Sequence, residues 1–422
     1  MDKIEVEGIN SLKGNIQISG SKNSSLPILA STLLIDEGIV ISNIPNLSDV
    51  VFMTKILKSL GSKVNFENSI CKIKSNQPIN LKISYELVRK MRASFLILGP
   101  LLTKYGYAEV SLPGGCAIGT RPVDFHISAL EKMGAEFVVE DGYIKGNVKG
   151  RLKGCEITLK KISVGATENI IMAATLAEGE TIIKNAACEP EISDLSNFLI
   201  SAGAEIKGHG TSIIKIKGKK KLRGCEFSVM PDRIEAGTFA LCVMGCSGNL
   251  ILENVNDLIG NHLKKILNPL NVLSICKKDN GNKLEIKKTK KFLKNVIFST
   301  KEFPGFPTDL QAQLIASLTK SQGKSVIKEN IFENRFMHVS ELRRMGANLK
   351  QNGSKIIING VKEIYGAEVM ATDLRASSSL IIAGLMASGK TIVNRVYHLD
   401  RGYENLEEKL RNCGVKIRRF SE

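Results

Sequence analysis

Apolar and polar positions alternate along this chain in a pattern that repeats. Cys155–Lys160 alternates with a period of two, which predicts a strand, and Gly165–Ala177 is rich in small apolar residues, which predicts a buried helix. Glu180–Ala187 alternates again, and Ile192–Gly203 carries Leu195, Phe198 and Leu199 on one helical face. Ala204–Lys207 and Ser212–Lys217 then predict a closing hairpin, so the unit reads β-α-β-α-β-β. Asp141-Gly142, Asn280-Gly281 and Asn352-Gly353 supply hairpin turn signals in other copies.

Two residue series show how often the unit recurs. Helix-ending turns fall at Gly61, Gly134, Gly203, Asn271, Gly346 and Gly414, separated by 73, 69, 68, 75 and 68 residues. Asn271 stands in the one slot without glycine, and asparagine is the other residue that tolerates a left-handed cap. A second series, Gly38, Gly106, Gly179, Gly248, Gly323 and Gly389, runs in step, each before a strand. Six copies are expected. The sixth lacks a partner for its last strand, Val415–Glu422, whereas Lys3–Glu7 is an orphan strand ahead of a first copy beginning near Asn15. Because an unpaired edge is a liability, the N-terminal strand is expected to complete the last copy.

The composition narrows the class without naming a function. Hydrophobic residues are 43% and charged residues 24% of 422, which fits a globular chain and excludes disorder or collagen. No apolar run approaches the ~20 residues of a bilayer span, and the N-terminus lacks the apolar core of a signal peptide. Nine scattered cysteines form no CxxC pair and have no histidine at ligand spacing, so free thiols in a cytoplasmic protein are expected and a zinc site is not. The net charge of +17 raises the possibility of nucleic acid. The lysine runs at 217–221 and 287–291 lack interleaved aromatics, however, and a small anionic substrate explains the sign equally well.

Candidate chemistry lies at the first helix of each copy, whose starts carry Lys22, Arg92, Gly165, Glu235, Asp309 and Arg375. Free N–H groups and the helix dipole attract anions there, so helices aimed at a shared cleft would make an anion trap. Taken singly, each charge also fits a structural bystander. Arg92 could pair with Glu86, and Asp309 could be a plain N-terminal carboxylate. The segment 112–122 brackets Cys116 with three glycines and two prolines, which predicts a specially bent loop, and Arg121 could lower the thiol pKa. An inert loop cysteine is the alternative.

Several motifs together carry a family resemblance. They are Gly20-Ser21-Lys22-Asn23, Met91-Arg92-Ala93-Ser94, Pro113-Gly114-Gly115-Cys116, Ile118-Gly119-Thr120-Arg121-Pro122 and Ser163-Val164-Gly165-Ala166-Thr167. Further on come Phe306-Pro307-Thr308-Asp309, Phe332-Glu333-Asn334-Arg335-Phe336, Thr372-Asp373-Leu374-Arg375 and Asp400-Arg401-Gly402-Tyr403-Glu404. Over essentially its full length the chain resembles the enolpyruvyl transferases, in particular the branch that acts on UDP-N-acetylglucosamine. The resemblance implies an α/β fold of two inside-out α/β barrel domains with three repeats each. Residues 22–230 would form one domain, and residues 1–21 with 231–422 the other.

The implied reaction transfers the enolpyruvyl group of phosphoenolpyruvate to the glucosamine 3-hydroxyl of UDP-N-acetylglucosamine and releases phosphate. That is the first committed step of peptidoglycan synthesis, and so of cell-wall biogenesis, cell shape and cell division. By the same resemblance Cys116 is the general acid and the residue fosfomycin alkylates, and Asp309 takes the hydroxyl proton. Lys22, Asn23, Arg121 and Arg401 would bind phosphoenolpyruvate. Asn23, Arg92, Arg121, Pro122, Val123, Asp124, Phe125, Lys161, Ile162, Ser163, Val164, Asp309 and Ile331 would bind the UDP-sugar, with Arg335, Asp373 and Arg375 also in the cleft. No cofactor or metal is implied, nor nucleic-acid or membrane partners, and a monomer or weak oligomer is expected.

The loop around Cys116 is expected to be a lid. Two positions depart from the family: Cys188 precedes Glu189-Pro190-Glu191 where a basic residue is usual, and Ser48 replaces a frequent lysine. Both remove positive charge. The sister 5-enolpyruvylshikimate-3-phosphate synthases share the fold but lack an equivalent Pro-Gly-Gly-Cys segment.

Overall fold

The computed structural model describes residues 2–75, 80–88, 91–111, 123–290 and 295–421. The Cys116 segment and its expected lid therefore lie outside the described residues.

The third copy shows how the sequence builds the unit. Strand Glu156–Thr158 pairs in parallel with Glu180–Lys184, and helix Val164–Ala174 crosses between them. A parallel pair requires such a crossover. Helix Pro190–Ser201 opens on a proline at its first turn, where the missing N–H costs no hydrogen bond. Strands Glu205–Lys207 and Ile213–Lys217 close the sheet antiparallel. Among the described residues, six four-stranded sheets share this strand order, in which the last strand of the hairpin lies beside the central strand.

The residues chosen at the helix ends explain the period. Gly61, Gly134, Gly203, Gly346 and Gly414 have φ of 94°, 100°, 96°, 93° and 87°, and Asn271 has 49°. All six are left-handed caps, so the asparagine does the work of glycine there. In the second series Gly106, Gly179, Gly248, Gly323 and Gly389 have positive φ and Gly38 does not.

One expectation fails. Leu12–Gln17 does not begin the first copy; it pairs in parallel with Gly248–Glu253, the central strand of the fourth. The first copy takes its leading strand from Glu226–Ser228, parallel to Ile39–Ser42. Local alternation marks a strand but carries no record of its partner, and each exchange gives a sheet its fourth strand. Asp2–Glu7 lies between Lys390–Asn394 and Ile417–Ser421, antiparallel to both.

Contacts divide the described residues into two compact units, one built from residues up to Ser19 and from Pro231 onward, the other from described residues between Gly20 and Met230. In the first, helices Arg233–Cys246, Gln311–Leu318 and Leu374–Met386 pack on one another and are buried almost all round. In the second, Lys22–Ser31, Leu98–Tyr105 and Val164–Ala174 hold the same position. The helices are therefore inside and the sheets outside, which is why these segments read as small and apolar rather than amphipathic. Packing is close: a Cβ on Gly99 would lie 2.2 Å from the Asn169 side-chain oxygen, which accepts the Gly99 N–H at 2.7 Å.

Candidate functional site

In the unit that ends the chain, charge gathers where the buried helices begin. Asp309 sits in the 3-10 turn Thr308–Leu310 that leads into Gln311–Leu318. Its carboxylate takes Arg335 Nη2 on Oδ1 at 2.8 Å and Arg375 Nη2 on Oδ2 at 2.7 Å. The Arg375 side chain is 2% exposed and that of Asp309 24%, so the cation is buried and the carboxylate still reaches solvent. Burial penalises the guanidinium, but Asp309, then Tyr403 and Asp232, outweigh it and hold Arg375 firmly charged. Asp373 caps helix Leu374–Met386 by accepting the N–H groups of Arg375 and Ala376 at 2.8 and 3.0 Å. It thereby fixes the start of the helix that carries Arg375.

Tyr403 ties this cluster to all three buried helices. Its hydroxyl oxygen accepts from Arg375 Nη1 at 3.2 Å and from Gln313 Nε2 at 3.1 Å. It also lies 2.9 Å from Thr238 Oγ1 and 3.1 Å from Ser378 Oγ. The phenol has one proton to give, and it goes to Ser378 Oγ, whose own proton goes to the Arg375 carbonyl. Tyr403 belongs to the Asp400–Glu404 motif, but nothing in the local sequence marks it as a junction, because these four partners are 25 to 165 residues away.

Arg401 ends the 3-10 stretch Val396–Arg401, and its neighbour Asp400 is paired with Arg419. Ile331 donates its N–H to Glu329 at 2.7 Å. Glu235, singled out as a helix-start carboxylate, is fully enclosed: it accepts Ser19 N–H at 2.7 Å and Lys409 Nζ at 2.6 Å. Burial pushes its carboxyl pKa up and Lys409 pulls it part of the way back. Its role is to hold the chain at Ser19, a task with no mark in the local sequence.

The unit between Gly20 and Met230 presents the other candidates. Lys22 opens helix Lys22–Ser31 behind the Ser21 cap, its Nζ 3.8 Å from Asp49, and half-buried Asn23 follows. Asp49 stands beside Ser48, which opens the next helix, Ser48–Ser59. Arg92 begins the 3-10 stretch Arg92–Ile97, while its side chain, with all of Cys116, Arg121 and Pro122, lies outside the described residues.

Two stretches distant in sequence come together here. Val123 caps helix Asp124–Lys132, which carries Phe125, and this helix packs on Val164–Ala174, which follows Lys161, Ile162 and its cap Ser163. The junction is His126, whose Nδ1 lies 3.0 Å from Asn169 Nδ2. Because the amide nitrogen only donates, Nδ1 accepts and the ring proton sits on Nε2. A Cβ on Gly165 would come within 3.3 Å of that ring, so glycine permits the contact. Lys161 and Ile162 remain exposed.

Carboxylates collect behind this surface. Burial, then the charges of Glu191 and Glu189, raise Glu168 well above the ordinary carboxyl range. Asp194 is pushed up to about 6, chiefly by burial, although it accepts from Ser24 and from Met230 N–H. The Cys188 thiol is raised by burial and by Glu189.

A sequence profile of the EPSP synthase (3-phosphoshikimate 1-carboxyvinyltransferase) family matches residues 6–410. The UDP-N-acetylglucosamine 1-carboxyvinyltransferase of Coxiella burnetii (strain RSA 493 / Nine Mile phase I) is 50% identical over 422 residues, covering all of this chain and 96% of its own. The protein of the same name from Nitratidesulfovibrio vulgaris (strain DP4) is 49% identical over 424 residues, covering both chains fully. Among solved structures, the enolpyruvyl transferase NikO from Streptomyces tendae superposes with a TM-score of 0.88 at 21% identity, covering 100% of this chain and 99% of its own. EPSP synthase from Acinetobacter baumannii superposes with a TM-score of 0.75 at 18% identity over all of both chains. These two likenesses show the shared architecture of two inside-out α/β barrels.

Proposed function

We infer, because the chain belongs to the enolpyruvyl transferase (EPSP synthase) family, that it transfers the enolpyruvyl group of phosphoenolpyruvate to the 3-hydroxyl of UDP-N-acetylglucosamine and releases phosphate. It is a transferase of peptidoglycan synthesis. The full-length half identity to transferases of that name carries this reading, and the geometry around Asp309 supports the roles within it.

The chemistry needs a proton at the methylene carbon of phosphoenolpyruvate, which makes C2 electrophilic. Cys116 is assigned that donation. Asp309 takes the proton of the attacking sugar hydroxyl, for which a carboxylate held at both oxygens by Arg335 and Arg375 is well oriented yet still open to solvent. Loss of phosphate and a methyl proton from the tetrahedral ketal then restores the enol ether. Lys22, Asn23, Arg121 and Arg401 hold the carboxylate and phosphate, because fixed cations stabilise such charge best where water is excluded. Arg92, the stretch 121–125, Lys161, Ile162, Ser163, Val164 and Ile331 receive the UDP-sugar, and the packing of helix Asp124–Lys132 on Val164–Ala174 supports grouping two of these segments.

The reading makes the protein a fosfomycin target through Cys116, a cytoplasmic enzyme, and a contributor to cell shape and division. Among the described residues no helix is long and apolar enough to cross a membrane. The test is phosphate release from phosphoenolpyruvate with UDP-N-acetylglucosamine, beside shikimate 3-phosphate as rival acceptor. Release with the UDP-sugar alone, lost in Cys116→Ser, is expected. Release with shikimate 3-phosphate alone would transfer the assignment to the sister activity.

A further inference from the structure

Glu329 follows strand Lys324–Lys328 of the fifth copy and is 3% exposed. Four donors converge on its carboxylate. Oε1 accepts from Thr300 Oγ1 at 2.8 Å, Ile331 N–H at 2.7 Å and Phe332 N–H at 3.1 Å, and Oε2 accepts from Thr308 Oγ1 at 2.9 Å. A buried carboxylate is tolerated when its lone pairs are answered in this way.

The Thr308 contact has a direction. Arg335 Nη1 lies 2.9 Å from the same hydroxyl, and a guanidinium can only donate. The hydroxyl therefore accepts from Arg335 and gives its own proton to Glu329. Arg335 meanwhile donates to Asp309 at 2.8 Å. One guanidinium thus stands between two carboxylates, touching Asp309 directly and Glu329 through a threonine.

We propose that Glu329 is a positioning residue for the transfer reaction, acting on two parts of the site at once. Through Thr308 it sets the Arg335 guanidinium against Asp309. Through the Ile331 and Phe332 N–H groups it fixes the turn that presents Ile331 to the UDP-sugar. The inference rests on the roles given above to Asp309, Arg335 and Ile331.

Glutamine at this position keeps the size but brings an NH2 group to a place where every neighbour already donates, so one side of the network must break. Steady-state kinetics and the pH profile of kcat test this on the full chain. Glu329→Gln is expected to lower kcat about tenfold or more and to raise KM for UDP-N-acetylglucosamine about fivefold, as loss of hydrogen bonds to a charged group implies. The acid limb of its kcat profile should move to lower pH, because a negative charge has been taken from beside the arginine that Asp309 shares. Thr308→Val should lower kcat while leaving that KM within about twofold, and Thr308→Ser should restore kcat.

Wild-type kcat and pH profile in Glu329→Gln would overturn the proposal, as would a loss in Thr308→Val that serine fails to rescue. If Glu329→Gln does not fold, the valine and serine pair at Thr308 decides. Asp309→Asn runs alongside: full activity there would remove the role given to Asp309 and the inference with it, whereas an inactive Asp309→Asn beside a normal Glu329→Gln removes the inference alone.

Discussion

The two units place the same buried helices in the same architecture and handle the charge at their starts in opposite ways. Around the helix starts of the Asp309 unit, carboxylates are paired directly with cations: Arg335 and Arg375 hold Asp309, and Lys409 holds Glu235. Around helix Val164–Ala174 carboxylates face one another, and Glu168 feels the charges of Glu191 and Glu189 in addition to its own burial. A repeat therefore fixes where a helix begins without fixing the electrostatics there. Buried pairs lock geometry, whereas mutually repelling buried acids make a region sensitive to protonation.

The most severe way to break this contrast is to remove one partner of a locked pair. Arg375→Ala leaves Asp309 and Tyr403 facing a cavity, and should cost about 3–5 kcal/mol of stability together with at least a hundredfold in kcat, read by thermal denaturation and steady-state kinetics. Arg375→Lys should restore part of the stability but little activity, since an ammonium cannot reach Asp309 and Tyr403 together in the same fork.

Next in size is the tyrosine junction. Tyr403→Phe keeps the ring and deletes the acceptor used by Arg375 and Gln313. A loss of about 2 kcal/mol in urea denaturation, with unchanged denaturant dependence, is expected. Stability equal to wild type would show that the junction is dispensable.

The acid-rich unit should respond to pH with the sign opposite to the buried histidines of the other unit. Because the folded pKa of Glu168 is raised, its contribution is complete below the unfolded value near 4.5 and is lost as pH rises through the folded pKa. Asp194 behaves alike between 3.8 and about 6. Glu168→Gln should therefore gain stability relative to wild type at pH 8 and show no gain at pH 4. His262 and His338, held down to about 4 chiefly by burial, contribute stability above 6.5 that is lost as pH falls through about 4. Hydrogen exchange at pH 5 and pH 8, compared peptide by peptide, separates the two responses. Parallel loss of protection in both units would contradict the contrast.

The smallest expected effect concerns a feature common to both units. Gly203→Ala, at φ 96° with open space around the Cβ, should cost about 1 kcal/mol through backbone conformation alone. Asn271→Gly should be within about half a kcal/mol of wild type in the same denaturation experiment.

Much of the candidate site was legible because the residues that bear it stand at fixed places in the repeat. Lys22, Asp309 and Arg375 are charges at equivalent places in the repeat, and each lies in the first turn of its helix or of the 3-10 turn leading into it. Glu329, Gln313 and Thr308 carried no such mark. A buried polar residue looks like any other polar residue until its donors arrive from elsewhere in the chain, and for Glu329 they come from residues as far as 29 positions away.

What the sequence determined by itself is local: six copies, the helix ends and the strand faces. A left-handed cap or an alternating strand depends only on the residues that form it and their neighbours. What tertiary structure alone decided is partnership. Leu12–Gln17 joined the fourth copy rather than the first, and Arg335, Arg375 and Tyr403 met around Asp309 from segments 26 to 94 residues away. Those choices turn on closing sheet edges and satisfying buried charge, and both are properties of the assembled fold.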